Sequence, residues 1–265
     1  MRPAMFFDEA PGLAANSYCQ GWHFAARGIC LEGMKRRPDS PKLMGILRMV
    51  ELELVKQPPF DSRIFVFGDS HAESYDGPKS IFEVVLLGAR TMYGMGHGGI
   101  DAIDPRNFGV CNGDCIAFVF GEIDVRVHIG RIRDRDGRAL EDVIDDLVTN
   151  YIGAITRLRG GFDDLDCLVA SVVPPIGIER CPGIPQFFYG ETFDRLEITL
   201  RLNLRLEEEC RLNAIGFVDR YTPFADADGL LDAAYADSVW HVRKEFHEMS
   251  RAALLAAREE LRSTS

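Results

Sequence analysis

The sequence lacks any apolar run approaching the roughly 18 residues that a membrane-crossing helix requires, and this excludes a helical span. It is also short of positive charge. Thirty Lys and Arg face 41 Asp and Glu, for a net charge of −11. No Lys/Arg-rich stripe offsets that balance, which excludes a general nucleic-acid or anionic-membrane binder. The one basic cluster, Arg131-Ile132-Arg133-Asp134-Arg135, is interrupted by aspartate and reads as a solvated, salt-bridged loop. The opening MRPAMFFDEAPG has no apolar core of a secretory signal and meets an acidic pair at once. Regular cysteine spacing is missing too. Cys111 and Cys115 only bracket the turn Asn112-Gly113-Asp114, and Cys19, His23 and Cys30 lack a fourth ligand. The seven cysteines are therefore expected to be reduced structural thiols in a cytoplasmic protein, and no metal is implied. Repeats and low-complexity tracts are absent.

What the chain does have is apolar residues enough, at 46% of 265, for one substantial core. Residues 1 to about 38 carry Pro and Gly without a period and read as an irregular lid or as an arm for homo-oligomer formation. Leu43, Ile46, Leu47, Val50 and Leu54 recur at helical spacing up to Lys56, and Pro58-Pro59 ends that helix. Residues 1–60 are thus expected to be an arm plus one helix, and 61–265 an α/β domain. Ile64–Phe67 is a short apolar run without alternation, as in a strand buried on both faces. Pro78 with Ile81, Phe82, Val85 and Leu86 suggests a helix, and Ala89–Tyr93 a short strand. Further strands are expected at Ile116–Phe120, Cys167–Val173 and Ile215–Val218, with helices at Ala139–Leu158, Leu196–Leu212 and the C-terminus. Strands alternating with helices indicate a parallel sheet covered on both faces.

Gly68-Asp69-Ser70-His71 follows the first strand, where open α/β sheets place ligands. Gly-Asp-Ser is also a common turn, and Ser or Asp before a helix is commonly only a cap. Two later segments add to it: Gly121-Glu122-Ile123-Asp124 after another apolar strand, and Asp237-Ser238-Val239-Trp240-His241 before the closing helix. In order and approximate spacing these three blocks resemble the SGNH hydrolases, the GDSL-like esterases, over about Ser62 to His247. The resemblance implies a three-layer flavodoxin-like α/β fold, with a mostly parallel five-stranded sheet and helices on both faces. It also implies a serine esterase, acylhydrolase or acyltransferase acting on a small-molecule or glycan ester.

Ester cleavage needs an oxygen nucleophile, a base and donors for the oxyanion. Ser70 is the candidate nucleophile and His241 the candidate base. His71 adjoins the nucleophile, and neighbouring residues point apart, so it is not taken as the base. The family places its acid three residues before the histidine. Here that position is Ser238, and Asp237 lies four before, so a one-residue bulge or a Ser–His dyad is expected. Gly94 or Gly96, with Gly121, are candidate oxyanion donors. The family's Gly-x-Asn-Asp appears as Gly121-Glu122-Ile123-Asp124, and isoleucine donates nothing. Glu122, Asp124 and Arg126 are therefore candidates for substrate or oxyanion contacts, with Arg126 a replacement donor, against the simpler view of a solvated loop. The departures at Ile123 and Asp237 keep open a second reading, a degenerate SGNH fold that binds a glycan or other ligand without turnover.

Two other motifs are weaker. Gly94-Met95-Gly96-His97-Gly98-Gly99 fits the dinucleotide-binding G-x-G-x-x-G, but the helix it requires would contain Pro105, Asn107 and Gly109. Gly68-Asp69-Ser70-His71-Ala72 ends in Ala rather than the Gly of an α/β-hydrolase elbow, and too few strands precede it.

Overall fold

The structure is a computed structural model and describes residues 9–56, 62–78, 81–181, 183–237 and 240–264. Five strands, β1 (Ile64–Gly68), β2 (Phe82–Leu86), β3 (Cys115–Val119), β4 (Asp166–Ala170) and β5 (Gly216–Val218), form one sheet. Their order is β2-β1-β3-β4-β5 and every pairing is parallel. Every residue of β1, β2 and β3 is buried, which is why β1 and β3 read as unbroken apolar runs, whereas β2 buries Glu83 among its apolar residues. The chain moves outward in opposite directions from β1, so the crevice beyond the C-terminal ends of β1 and β3 is the topological switch point.

Helices α1 (Ala10–Cys19), α2 (His23–Met34) and α3 (Pro41–Leu54) precede the sheet. Next come α4 (Met92–Gly94), a single turn, α5 (Ile129–Asp136), α6 (Leu140–Arg159), α7 (Thr192–Leu212) and α8 (His247–Thr264). Helix α6 buries its stripe from Leu140 to Ile155, with Glu141 and Asp142 in its first turn and Arg157 and Arg159 in its last, matching the helix dipole at both ends. Helices on both faces complete a three-layer α/β fold. No helix among the described residues is long and apolar enough to cross a membrane.

Four segments differ from the sequence reading. Residues 10–34 form two helices joined to the main core through Ala10, Ala14, Ala25 and Ile29. Small residues face the core here, so no strong apolar period is visible. Phe82–Leu86 is the edge strand β2 rather than a helix. Its apolar run fits either period, and pairing with β1 decides it. The Glu83 carboxylate within that strand accepts the Ala25 N–H at 2.8 Å, capping the first turn of α2. The span 89–93 is not a strand but leads into α4, capped by Thr91. Residues 131–135 lie in α5 and are not a loop, although the salt bridges Arg133–Asp134 and Arg135–Asp136 do form. Pro58-Pro59 falls outside the described residues.

All seven cysteines are free thiols and five are buried. Burial pushes the Cys30 thiol up to about 12. The trio Cys19, His23 and Cys30 does not form a site: among the described residues no three His, Cys, Asp or Glu side chains gather as metal ligands would.

Candidate active site

Strand β1 ends at Gly68, where a side chain would lie 2.6 Å from the Val119 carbonyl oxygen. Only glycine lets the chain turn there against β3. Asp69 is buried and caps the six-residue 3₁₀ turn Ser70–Tyr75, accepting the His71 N–H at 2.9 Å. Ser70 opens that turn and is exposed. As its first residue, the serine has an N–H with no acceptor inside the turn. From beneath, the buried Arg220 donates to Ser74 Oγ at 2.8 Å and holds the turn to the segment after β5.

The histidine block comes from the other end of the chain. Ala236 and Val242 form an antiparallel bridge, and the Asp237 N–H donates to the His241 carbonyl at 2.8 Å, which draws Asp237 and His241 together. A small second core of Val173, Phe224, Leu231, Ala236 and Val242 supports it. His241 Nε2 then lies 2.8 Å from Ser70 Oγ. On the other side of the ring, Nδ1 lies 3.2 Å from Asp237 Oδ2, while Asp237 Oδ1 accepts the His241 N–H at 3.0 Å. The structure therefore brings Ser70, His241 and Asp237 together. Asp237, four residues before the histidine, reaches its ring, and Ser238 lies outside the described residues. Burial and the neighbouring His71 lower the His241 pKa to about 4 against the opposing pull of Asp237, so the ring is neutral and able to accept a proton near pH 7.

The remaining candidates divide. Gly121 follows β3 with φ +119, and a side chain there would strike Val172 and Met92. Gly94 is turned elsewhere, its N–H donating to Thr91 Oγ1 at 3.0 Å. Gly96 is pressed onto α6, where a Cβ would lie 2.8 Å from the Tyr151 backbone nitrogen. Asp124 is buried and accepts the N–H groups of Met92 at 2.6 Å and Tyr93 at 3.2 Å, so it ties α4 to the end of β3. Burial raises its carboxyl to about 7 in spite of those bonds. Arg126 is 9% exposed: its Nε donates to Glu122 at 2.6 Å, its Nη1 to the Phe187 carbonyl at 3.1 Å, and its guanidinium lies 4.2 Å from the Trp240 ring centre. Glu122 and Arg126 do not form a solvated loop, and two of the three guanidinium nitrogens are already engaged. They make a wedge behind the residue next to His241.

One residue that the sequence reading passed over is Gly88. Gly68 is in register with Leu86 and with Val119. Ser70, Gly88 and Gly121 therefore each lie two residues beyond the same row of the sheet. Gly88 has φ +74, which favours glycine. The signal is there in Leu86-Leu87-Gly88, a strand end followed by glycine, but the helical spacing of Ile81, Phe82, Val85 and Leu86 conceals it.

No family model matches the chain, and no curated protein matches it in sequence. Solved structures do. A GDSL-like lipase from Bacteroides thetaiotaomicron superposes with a TM-score of 0.52 at 17% identity, covering 80% of this chain and 96% of that one. A Streptococcus pneumonia protein described as a platelet activating factor gives a TM-score of 0.52 at 16% identity, covering 80% of this chain and 88% of its own. At such identities the likeness concerns architecture, and with the sheet order and the turn after β1 it shows that the chain has the SGNH, or GDSL-like, hydrolase fold.

Proposed function

We propose that the protein is a serine esterase or acyltransferase acting on a small acylated substrate, an acylated sugar included. The observation that carries this reading is the line Ser70 Oγ, His241, Asp237, with separations of 2.8 and 3.2 Å at the two ring nitrogens. In it, Ser70 Oγ attacks the ester carbonyl carbon as its proton passes to His241 Nε2, and the carbonyl oxygen takes up the negative charge. Asp237 holds the ring in the tautomer whose Nε2 is free and steadies the imidazolium that forms. The N–H of Ser70, with those of Gly88 and Gly121 at the same level of the sheet edge, are the donors offered to the oxyanion. Collapse of the intermediate breaks the bond to the alcohol oxygen, which takes the proton from His241 and leaves an acyl–Ser70 ester. Water or a sugar hydroxyl, activated by the same histidine, then accepts the acyl group. Phe187, Phe188 and Trp240 pack edge to face beside His241 and give the site a partly apolar wall for an acyl chain or a sugar face.

A fluorophosphonate probe tests this reading whatever the substrate, because it reacts with any activated serine. Labelling at Ser70, lost in Ser70→Ala and in His241→Ala, supports it. A folded protein that takes no label is instead a ligand- or glycan-binding module built on the same fold.

A further inference from the structure

His71, beside the nucleophile, is buried at 5% exposure and has no part in the steps above. Both of its ring nitrogens face acceptors. Nδ1 lies 3.2 Å from Asp69 Oδ1, and Nε2 lies 3.3 Å from the Trp240 carbonyl oxygen. A neutral imidazole has one N–H, so one of these contacts would set a lone pair against an oxygen. Only the imidazolium donates at both ends. Its ring centre is 4.7 Å from that of His241, to which Trp240 is joined by a peptide bond.

We propose that His71 is a cationic positioning residue: an imidazolium held between Asp69 and the Trp240 carbonyl, which fixes the His241 loop and keeps the His241 ring free to accept the serine proton. The inference rests on Ser70, His241 and Asp237 being the reacting unit. The charges around His71 are consistent with it. Burial alone would lower the His71 pKa, but Asp69 on its own turn and Glu122 beyond β3 outweigh burial and the opposing Arg220 beyond β5, and the pKa ends above its ordinary value. His241 is the fourth titratable neighbour, and Asp237 faces its far side. Two positive rings at this separation repel, so a charged His71 resists protonation of His241. The Trp240 carbonyl is also gripped from one side while Arg126 covers the indole, and the residue before the base is tethered twice.

The experiment is a nitrogen-15 NMR titration of the histidine rings in the full chain, wild type and His71→Gln, alongside the pH profile of kcat/KM on a generic acetyl ester. Glutamine can keep the donor to Trp240 while removing the charge. The expected result is a wild-type His71 ring protonated on both nitrogens at pH 7. In His71→Gln the His241 midpoint then rises by about one pH unit or more, and the acid limb of kcat/KM moves up with it. Asp69→Asn, a second route to a neutral His71, also removes a carboxylate that raises the His241 pKa, so it shifts the limb the same way by less. A singly protonated His71 at pH 7, or a His241 midpoint unmoved in both variants, overturns the proposal. A structural prop alone would not move these midpoints. The ring titrations need no turnover, so they report on His71 even if fluorophosphonate labelling fails and the esterase reading falls.

Discussion

Asp237 grips His241 at two points, its Oδ1 on the backbone N–H at 3.0 Å and its Oδ2 on ring Nδ1 at 3.2 Å. A carboxylate four residues upstream can do this because the Asp237 N–H donates to the His241 carbonyl and holds the two residues together. The backbone contact orients the carboxylate before any substrate arrives, which favours a working triad over a dyad. Asp237→Asn is accordingly expected to lower kcat by at least about a hundredfold, since an amide can hold the wrong tautomer. Steady-state kinetics on an activated ester check it, and a fall below about tenfold would mean that the dyad suffices.

The pH profile should lie unusually far to the acid side. A free imidazole titrates near about 6.5, whereas burial and His71 bring His241 to about 4. The base works when neutral, so activity should rise with pH through the region of 4 to 5 and be level by neutrality. A single limb near 6.5 would show that His241 is neither buried nor beside a charge in the working enzyme.

Why some of this was legible and some not follows from particular residues. Ile64–Phe67 and Ile116–Phe120 announce themselves because a strand covered on both faces has no polar position. Residues 82–86 break that pattern with Glu83, and a preceding Pro78 with spacing compatible with a helix points the other way, so β2 and with it Gly88 are hidden. The serine and histidine blocks were readable as spacing. The roles of Asp124, Glu122 and Arg126 were not, because whether a charge at a strand end faces solvent or a neighbour's N–H depends on loops far away in sequence. Phe187 and Trp240, which enclose Arg126, lie more than 60 residues beyond it.

The glycines after β2 offer a test of the fold itself. Gly96 lies against the α6 backbone at Asn150 and Tyr151, so Gly96→Ala must push a main chain apart and should destabilise by about 1–3 kcal/mol. Gly94 has helical φ of −63° and meets only the Thr91 hydroxyl, at 3.1 Å. Gly94→Ala should therefore leave urea stability within about 1 kcal/mol and esterase activity largely intact, since its N–H is directed at Thr91. A selective loss of kcat in Gly94→Ala, with stability unchanged, would return Gly94 to the oxyanion site.

Arg126 and Glu122 do not form a surface ion pair. An exposed pair would be worth roughly 0–1 kcal/mol, but this one is largely buried, with side chains 10% and 14% exposed. Removing the guanidinium strands the Glu122 carboxylate, frees the Phe187 carbonyl and uncovers Trp240. Arg126→Ala should thus lose about 1–3 kcal/mol of stability and, through Trp240, at least about tenfold in kcat/KM, equivalent to about 1.4 kcal/mol. Arg126→Lys keeps the charge but not the planar fork, so it should recover stability better than activity. Trp240→Ala decides whether the route is correct. If Arg126 acts by holding Trp240 and with it His241, the two substitutions together should cost little more activity than Trp240→Ala alone. Additive losses would instead place the guanidinium in direct contact with substrate, as a donor in place of the asparagine that Ile123 displaced.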